Sequence, residues 1–402
     1  MRRPLTVLAL CAALALAGGP AAAKEPAITV PAGATLTVTG HGYGHGHGMS
    51  QYGAETAARQ GLTATQIVDF YYPQTTAGTA TGQIRVLIGA DTSPDVVVQA
   101  QSGLTAQQVD GTTTWNLTQL QPQAGRWRIV PLGPARSALG WRQGGVWHHL
   151  ATVAGTLQFS AANAPMGLIE PGEPVRHYRG ALRSVVPEGD SSDGPRDRDT
   201  DDVLSLESYV QGVVPEEVPA LWAPAAVQAQ AIAARTYAVY ERAHAASHEW
   251  YDICDTWSCQ AFGGYDAEQP ASTQAVAATK GQVLLYDGSP ALAQFCSSSG
   301  GWTAAGGEPY LPAEQDPYDT AAGNPNHTWT TTLTAAQIQR YWPSLGTLQS
   351  IHVTKRDGHG QWGGRVLSMT LTGSRGTVLV SGETFRAAWG LKSTWFRLTV
   401  AA

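Results

Sequence analysis

Two groups of residues in this sequence have the types and spacing to do chemistry. The first is the adjacent pair Glu216 and Glu217, followed by Val218, Pro219, Leu221 and Trp222. Neighbouring carboxylates do not face each other on a helix or a strand, so the pair is not by itself a two-carboxylate glycosidase site. One of them could be a general acid if burial against those apolar neighbours raised its pKa. The plainer reading is a solvated pair at the start of the next helix, favoured by its dipole.

The second group is GHGYGHGHG, Gly40 to Gly48, with glycine at every second position. If extended, it sets His41, Tyr43, His45 and His47 on one face and bare backbone on the other. That pattern suits the polar wall of a ligand groove. A bulged strand packed under another segment is the plainer alternative. Three imidazoles also suggest a metal, but no local carboxylate or cysteine accompanies them.

The cysteines allow two readings. Cys254 and Cys259 are close enough in sequence for a disulfide. With His248 they also form H-x5-C-x4-C, three ligands of a structural zinc site whose fourth is not identified. Cys296 would be left free, in FCSSSGG (Phe295 to Gly301). No G-x-S-x-G elbow surrounds Ser297 and Ser298, so a hydrogen-bonding turn is the default there.

These residues need a scaffold, and the composition says which kind. The 402 residues are 43% hydrophobic and 14% charged, with a formal net charge of −6. That excludes a disordered chain. The few lysines (Lys24, Lys280, Lys355 and Lys392) and the lack of a basic excess argue against a nucleic-acid binder. Residues 1–23 read as an export signal: Arg2 and Arg3, an apolar run from Leu5 to Ala17, and small residues at Ala21 to Ala23. No later stretch is long and apolar enough to span a membrane, so the expected location is secreted or in the cell wall. Export favours the disulfide.

Residues 80–187 read as a β-rich domain, from runs such as IRVLIGA, DVVVQA and GTLQFSA. Residues 188–202, EGDSSDGPRDRDTDD, read as an acidic linker or solvated loop. Pro224 should open the strongest helix, with Val227, Ala231, Ala234 and Ala238 on one face. Ser50 should cap a helix closed by Gly61, and Thr63 should begin a second. The fold class is α+β, β-rich with a few helices. The expected units are residues 24–79, 80–187 and 203–402.

Several segments together resemble the stage II sporulation protein D (SpoIID/LytB) family. SYVQGVVPEEVP, Ser208 to Pro219, resembles its "GVvp-EmP" segment. AVQAQAIAARTYA, Ala226 to Ala238, resembles its "ALKAQAVAARTYA" helix. CDTWSCQAFGG, FCSSSGG with EPYLPAEQDPYD, and LVSGETFRAAWGLKSTWF resemble three more. GHGYGHGHGMSQYGA resembles its "GHGvGMSQyGA" signature, which in the family follows the "St-F" strand. Here it comes first, as in a circular permutation, so residues 36–72 should dock beside the 393–400 strand. Ala225 and Gln228 replace the usual Glu and Lys of the helix.

The resemblance implies a SpoIID-like fold with a glycan groove between sub-domains. It implies a lytic transglycosylase of peptidoglycan strands stripped of stem peptides, with Glu217 as the single acid and then base. No cofactor would be required, and a structural zinc is the alternative at Cys254 and Cys259. The candidate substrate-binding residues are Tyr43, His45, Gln51, Trp222, Arg235, Ser297 and Ser298. Arg235 carries a warning, since pairing with Glu217 would lower its pKa. The other reading the family allows is a non-catalytic glycan-binding protein or an enhancer of an autolytic amidase.

Overall fold

The computed structural model describes residues 25–162, 164–187, 198–246 and 250–401. The expected export signal and His248 lie outside them. The fold is mixed α+β. Its helices are α1 (Gln51–Arg59), α2 (Ala64–Tyr71), α3 (Leu117–Leu120), α4 (Leu206–Glu217), α5 (Pro224–His244), α6 (Pro270–Ala278), α7 (Ala335–Tyr341) and α8 (Gly382–Trp389). Among the described residues no helix is long and apolar enough to cross a membrane.

The chain forms two compact units whose boundaries differ from those expected. One runs from His41 to Trp329; the other joins the segment ending at Gly40 to Thr330–Ala402. In the second unit the strand Thr35–His41 pairs antiparallel with Phe396–Val400, Leu36 opposite Val400 and Gly40 opposite Phe396. The docking expected of the early segment is therefore met for residues 36–40. The strands Leu348–Arg356, Val366–Gly373 and Thr377–Ser381 form an antiparallel sheet in the same unit.

The His41–Trp329 unit holds a six-stranded and a seven-stranded sheet. The apolar runs read from the sequence become strands, including Gln83–Leu87, Val96–Gln99, Arg126–Pro131 and Leu157–Ser160. More polar strands, such as Thr105–Gln108, lacked that apolar signal. The expected acidic linker ends sooner than its composition suggested. Residues 188–197 lie outside the described residues, but Asp199–Ser205 is a strand. It runs antiparallel between Gln83–Leu87 and Ala181–Val185, and Asp201 and Asp202 are fully buried. Backbone pairing on both sides overrides the charge of this segment.

The core of this unit is built around α4 and α5. Pro224 takes the first turn of α5, where the missing N–H costs nothing. Val227, Ala231, Ala234 and Ala238 are buried in one apolar cluster with Trp127, Phe159 and Tyr209. On its other side Ala226, Ala229, Ile232 and Ala233 meet α1 and α2 in a second cluster. Small side chains on both faces let a helix be enclosed on two sides. Ser50 accepts the Gly53 N–H to cap α1, and Thr63 with Gln66 makes a capping box on α2.

Candidate functional site: a cleft around Glu217

Glu216 and Glu217 are not at a helix start. They occupy the last turn of α4, which contains no basic residue. The dipole there disfavours a negative charge instead of favouring it. Glu216 is exposed, while Glu217 is half-buried. Burial pushes the Glu217 carboxyl above its ordinary range, and the charge of Glu216 adds to this. Hydrogen bonds from the Gln51 side chain and the Ala261 backbone pull in the opposite direction.

The expected apolar wall is not what buries Glu217. Leu221 is 89% exposed, and Val218 belongs to the core of the unit. The enclosure comes from elsewhere in the chain. Gln51 Nε2 donates to Glu217 Oε2 over 3.2 Å. One turn further along α1, Glu55 Oε2 accepts the Ala223 N–H over 2.8 Å. Ala223 begins α5 without a side-chain cap, so Glu55 supplies the negative group that end favours. Gln51 and Glu55 share a helix face, and fixing one sets the other.

The second wall is the cysteine loop. Cys254 and Cys259 are joined in a disulfide. Bonded to each other, they are not thiolates, and among the described residues no cluster of His, Cys, Asp or Glu could hold a metal ion. Gln260, just after the loop, is buried; its Oε1 accepts from Tyr209 of α4 and its Nε2 donates to the Ala234 carbonyl of α5. Gly263 N–H donates to the Gly212 carbonyl of α4. A Cβ on Gly212 would lie 2.6 Å from the Phe262 ring, so glycine is required for this close approach.

The third wall is the glycine–histidine strip, which leaves the extended conformation after His41. Gly42, Gly44, Gly46 and Gly48 all have positive φ, so the side chains between them do not share one face. Tyr43 and His45 line the cleft with Gln51 and Glu217. His41 instead meets the His327 carbonyl, and the His47 ring meets Gln294 Oε1. The His47 N–H donates to His45 Nδ1 over 2.9 Å, so a neutral His45 carries its proton on Nε2. A Cβ on Gly48 would fall 2.0 Å from the Gln294 carbonyl oxygen. The strip thus lies against residues 294–299 at backbone contact.

A buried polar network supports that contact. Asp319 Oδ2 accepts from Ser50 and Ser298, each at 2.8 Å. Its Oδ1 takes Asn324 at 2.8 Å and His327 at 2.9 Å. Burial alone would raise Asp319, but the bonds from His327, Ser298 and Ser50 hold it below its ordinary range. Asp316 accepts from Ser299 and Tyr71, and burial pushes it up to about 6.

The cleft, of about 540 Å³, lies wholly within the His41–Trp329 unit, not between sub-domains. It brings together Tyr43, His45, Gln51, Glu217 and Ser297. Three other candidates have different roles. Ser298 is fully buried on Asp319. Arg235 is fully buried and paired with Glu207 at 3.0 Å, with further bonds to the Ala231, Val276 and Gln282 carbonyls. It is structural, and the feared pairing with Glu217 does not occur. Trp222 packs on Tyr52, ring centres 5.0 Å apart. Sequence reasoning missed Gln260, Ala261 and Trp257, whose signal lay in the CDTWSCQAFGG segment. It also missed Asp319, in the DPYD stretch.

Fold and site define an α+β scaffold carrying one half-buried carboxyl in an open cleft. Residues 198–286 match the family model described as SpoIID, stage II sporulation protein. Over that segment the chain is similar to the stage II sporulation protein D family. It is 38% identical over 135 residues to the amidase enhancer of Bacillus subtilis (strain 168), covering 32% of this chain and 17% of that protein. It is 33% identical over 159 residues to stage II sporulation protein D of the same organism, covering 34% of this chain and 45% of that one. The chain therefore spans less than half the length of either relative. The family match holds Glu217 and the disulfide loop; the glycine–histidine strip lies outside it.

Proposed function

We propose that the protein acts in the bacterial cell wall as a lytic transglycosylase, cleaving the MurNAc–GlcNAc bond of peptide-stripped glycan strands. The observation that carries this is Glu217: a half-buried carboxyl with a raised pKa, lining an open cleft and, among the described residues, not paired with an arginine or lysine. Such a group keeps its proton to higher pH than an ordinary glutamate and can give it up in the transition state.

The reaction needs only one acid. Glu217 gives its proton to the glycosidic oxygen as the C1–O bond breaks. The C6 hydroxyl of the same MurNAc attacks C1, and the Glu217 carboxylate takes the hydroxyl proton. The products are a free GlcNAc 4-hydroxyl and a 1,6-anhydro ring. No water is consumed, and the carboxyl ends protonated as it began. Gln51 and the Ala261 N–H would steady the carboxylate between the two transfers, and His45 and Tyr43 would orient the sugar.

The test is a digest of peptide-stripped strands by the purified protein, read by mass spectrometry, with Glu217→Gln beside it. Products lighter by one water than hydrolysis products, reduced by a factor of about 100 or more in the variant, are expected. The similarity to an amidase enhancer supports a second reading, in which the same cleft binds glycan and promotes an amidase. Glycan binding without products would select it.

A further inference from the structure

Trp257 is the largest side chain left open to solvent among the described residues, at 90% exposure. The core does not use it. It sits in the loop closed by the Cys254–Cys259 disulfide, one of the most constrained short segments a chain can make. The covalent closure fixes the backbone that carries the indole, so binding there costs less ordering of the loop.

Its position gives the display a purpose. Trp257 lines the Glu217 cleft and also a second depression of about 380 Å³. Glu216 and Ala261 are shared by both in the same way. The two depressions therefore adjoin, with the indole and Glu216 between them. The second is lined by Asp255, Asp266 and Arg176 besides. The Arg176 guanidinium is bonded to the buried Glu170 carboxylate at 2.6 Å, which offsets its charge. Asp266 is itself bonded to His177 Nδ1 at 3.0 Å, and with Glu216 and Asp255 it makes the lining richer in carboxylates than in cations. Carboxylates accept hydrogen bonds from sugar hydroxyls and repel anionic groups.

We propose that Trp257 and this depression form a second saccharide subsite, which takes a neutral N-acetylhexosamine adjoining the sugar held at Glu217. The apolar C–H face of the ring stacks on the indole, and its hydroxyls meet Glu216, Asp255 and Asp266. A sugar bearing a lactyl carboxylate is disfavoured there. This rests on the reading of the cleft as a glycan site and extends it to ligand length and charge.

The experiment is calorimetric titration of the Glu217→Gln protein with chitobiose and chitotetraose, neutral oligomers of N-acetylglucosamine. Trp257→Ala and Trp257→Phe are added to the same background, and thermal unfolding verifies that each is folded. Chitotetraose should bind more tightly than chitobiose. Trp257→Ala should weaken the tetramer by about tenfold, roughly 1.4 kcal/mol, and Trp257→Phe should restore most of it. Equal tetramer affinity with and without the indole overturns the subsite, and so does the absence of tetramer binding to every variant. The digest above separates the two ideas. Cleavage indifferent to Trp257→Ala leaves the enzyme standing and removes the subsite. Trp257-dependent binding without cleavage by the parent protein does the reverse.

Discussion

Gln51 Nε2 lies 3.2 Å from Glu217 Oε2, a hydrogen bond between residues 166 positions apart. It joins the helix that follows the glycine–histidine strip to the candidate acid at the end of α4. The bond favours the ionised carboxylate, while burial favours the protonated form. The balance between them sets the pH at which Glu217 can act.

Replacing Gln51 with Leu removes the donor and keeps the bulk. The Glu217 pKa should rise further, because the lowering influence is gone and burial remains. An acid is lost at the alkaline limb of a pH profile, so that limb of kcat/KM on peptide-stripped glycan should move to higher pH. kcat should fall at the same time, since the carboxylate formed midway loses a partner. An unmoved alkaline limb would mean that the bond is incidental to the chemistry.

Asp201 and Asp202 predict an unusual dependence of stability on pH. Among the described residues, their buried carboxyl oxygens find no hydrogen-bond partner. Burial pushes Asp201 to about 8, against the pull of Arg183 and Arg85, and pushes Asp202 well up. The unfolded chain releases these protons near pH ~4, whereas the folded chain keeps them. Stability should therefore fall as pH rises from ~4 to about 8 on this account. Asp202→Asn mimics the neutral acid at every pH. It should match the parent protein near pH 4 and melt higher at pH 8, by about 3 °C or more, equivalent to roughly 1 kcal/mol in a unit of this size. Circular dichroism melts at the two pH values test this.

The pairing of Thr35–His41 with Phe396–Val400 predicts that the chain can be re-threaded. Leu36 faces Val400, and Ala401 N–H donates to the Thr35 carbonyl. A short glycine-containing turn can close such an antiparallel pair. A protein beginning at residue 73, with residue 401 joined to residue 34 and ending at residue 72, should fold to the same far-ultraviolet spectrum. It should also keep the Glu217-dependent activity. A re-threaded chain that does not fold would show that the segment order itself is required.

Much of the local structure was legible in the residues. The Pro224 start and the alanine face of α5 rest on interactions within a few turns, as do the Ser50 and Thr63 caps, and they appear as expected. The acidic stretch misled at Asp199–Asp202, because strand pairing on both flanks outweighed a signal read from charge alone. The glycine strip misled for a related reason. Alternation fits an extended strand, but Gly42, Gly44, Gly46 and Gly48 adopt positive φ and the strip lies against residues 294–299.

The sequence by itself determined the class of fold, the starts of α1, α2 and α5, the nearness of Cys254 to Cys259 and which glutamate to suspect. Tertiary structure alone decided what surrounds that glutamate. It set Glu217 at the unfavourable end of a helix, gave it Gln51 and Ala261 as partners, and committed Arg235 to Glu207. It also sank Ser298 onto Asp319 and left Trp257 in solvent. Propensities and caps act over a few residues, so they can be read along the chain. A pKa depends on burial and on groups far away in sequence, and those exist only once the chain has packed.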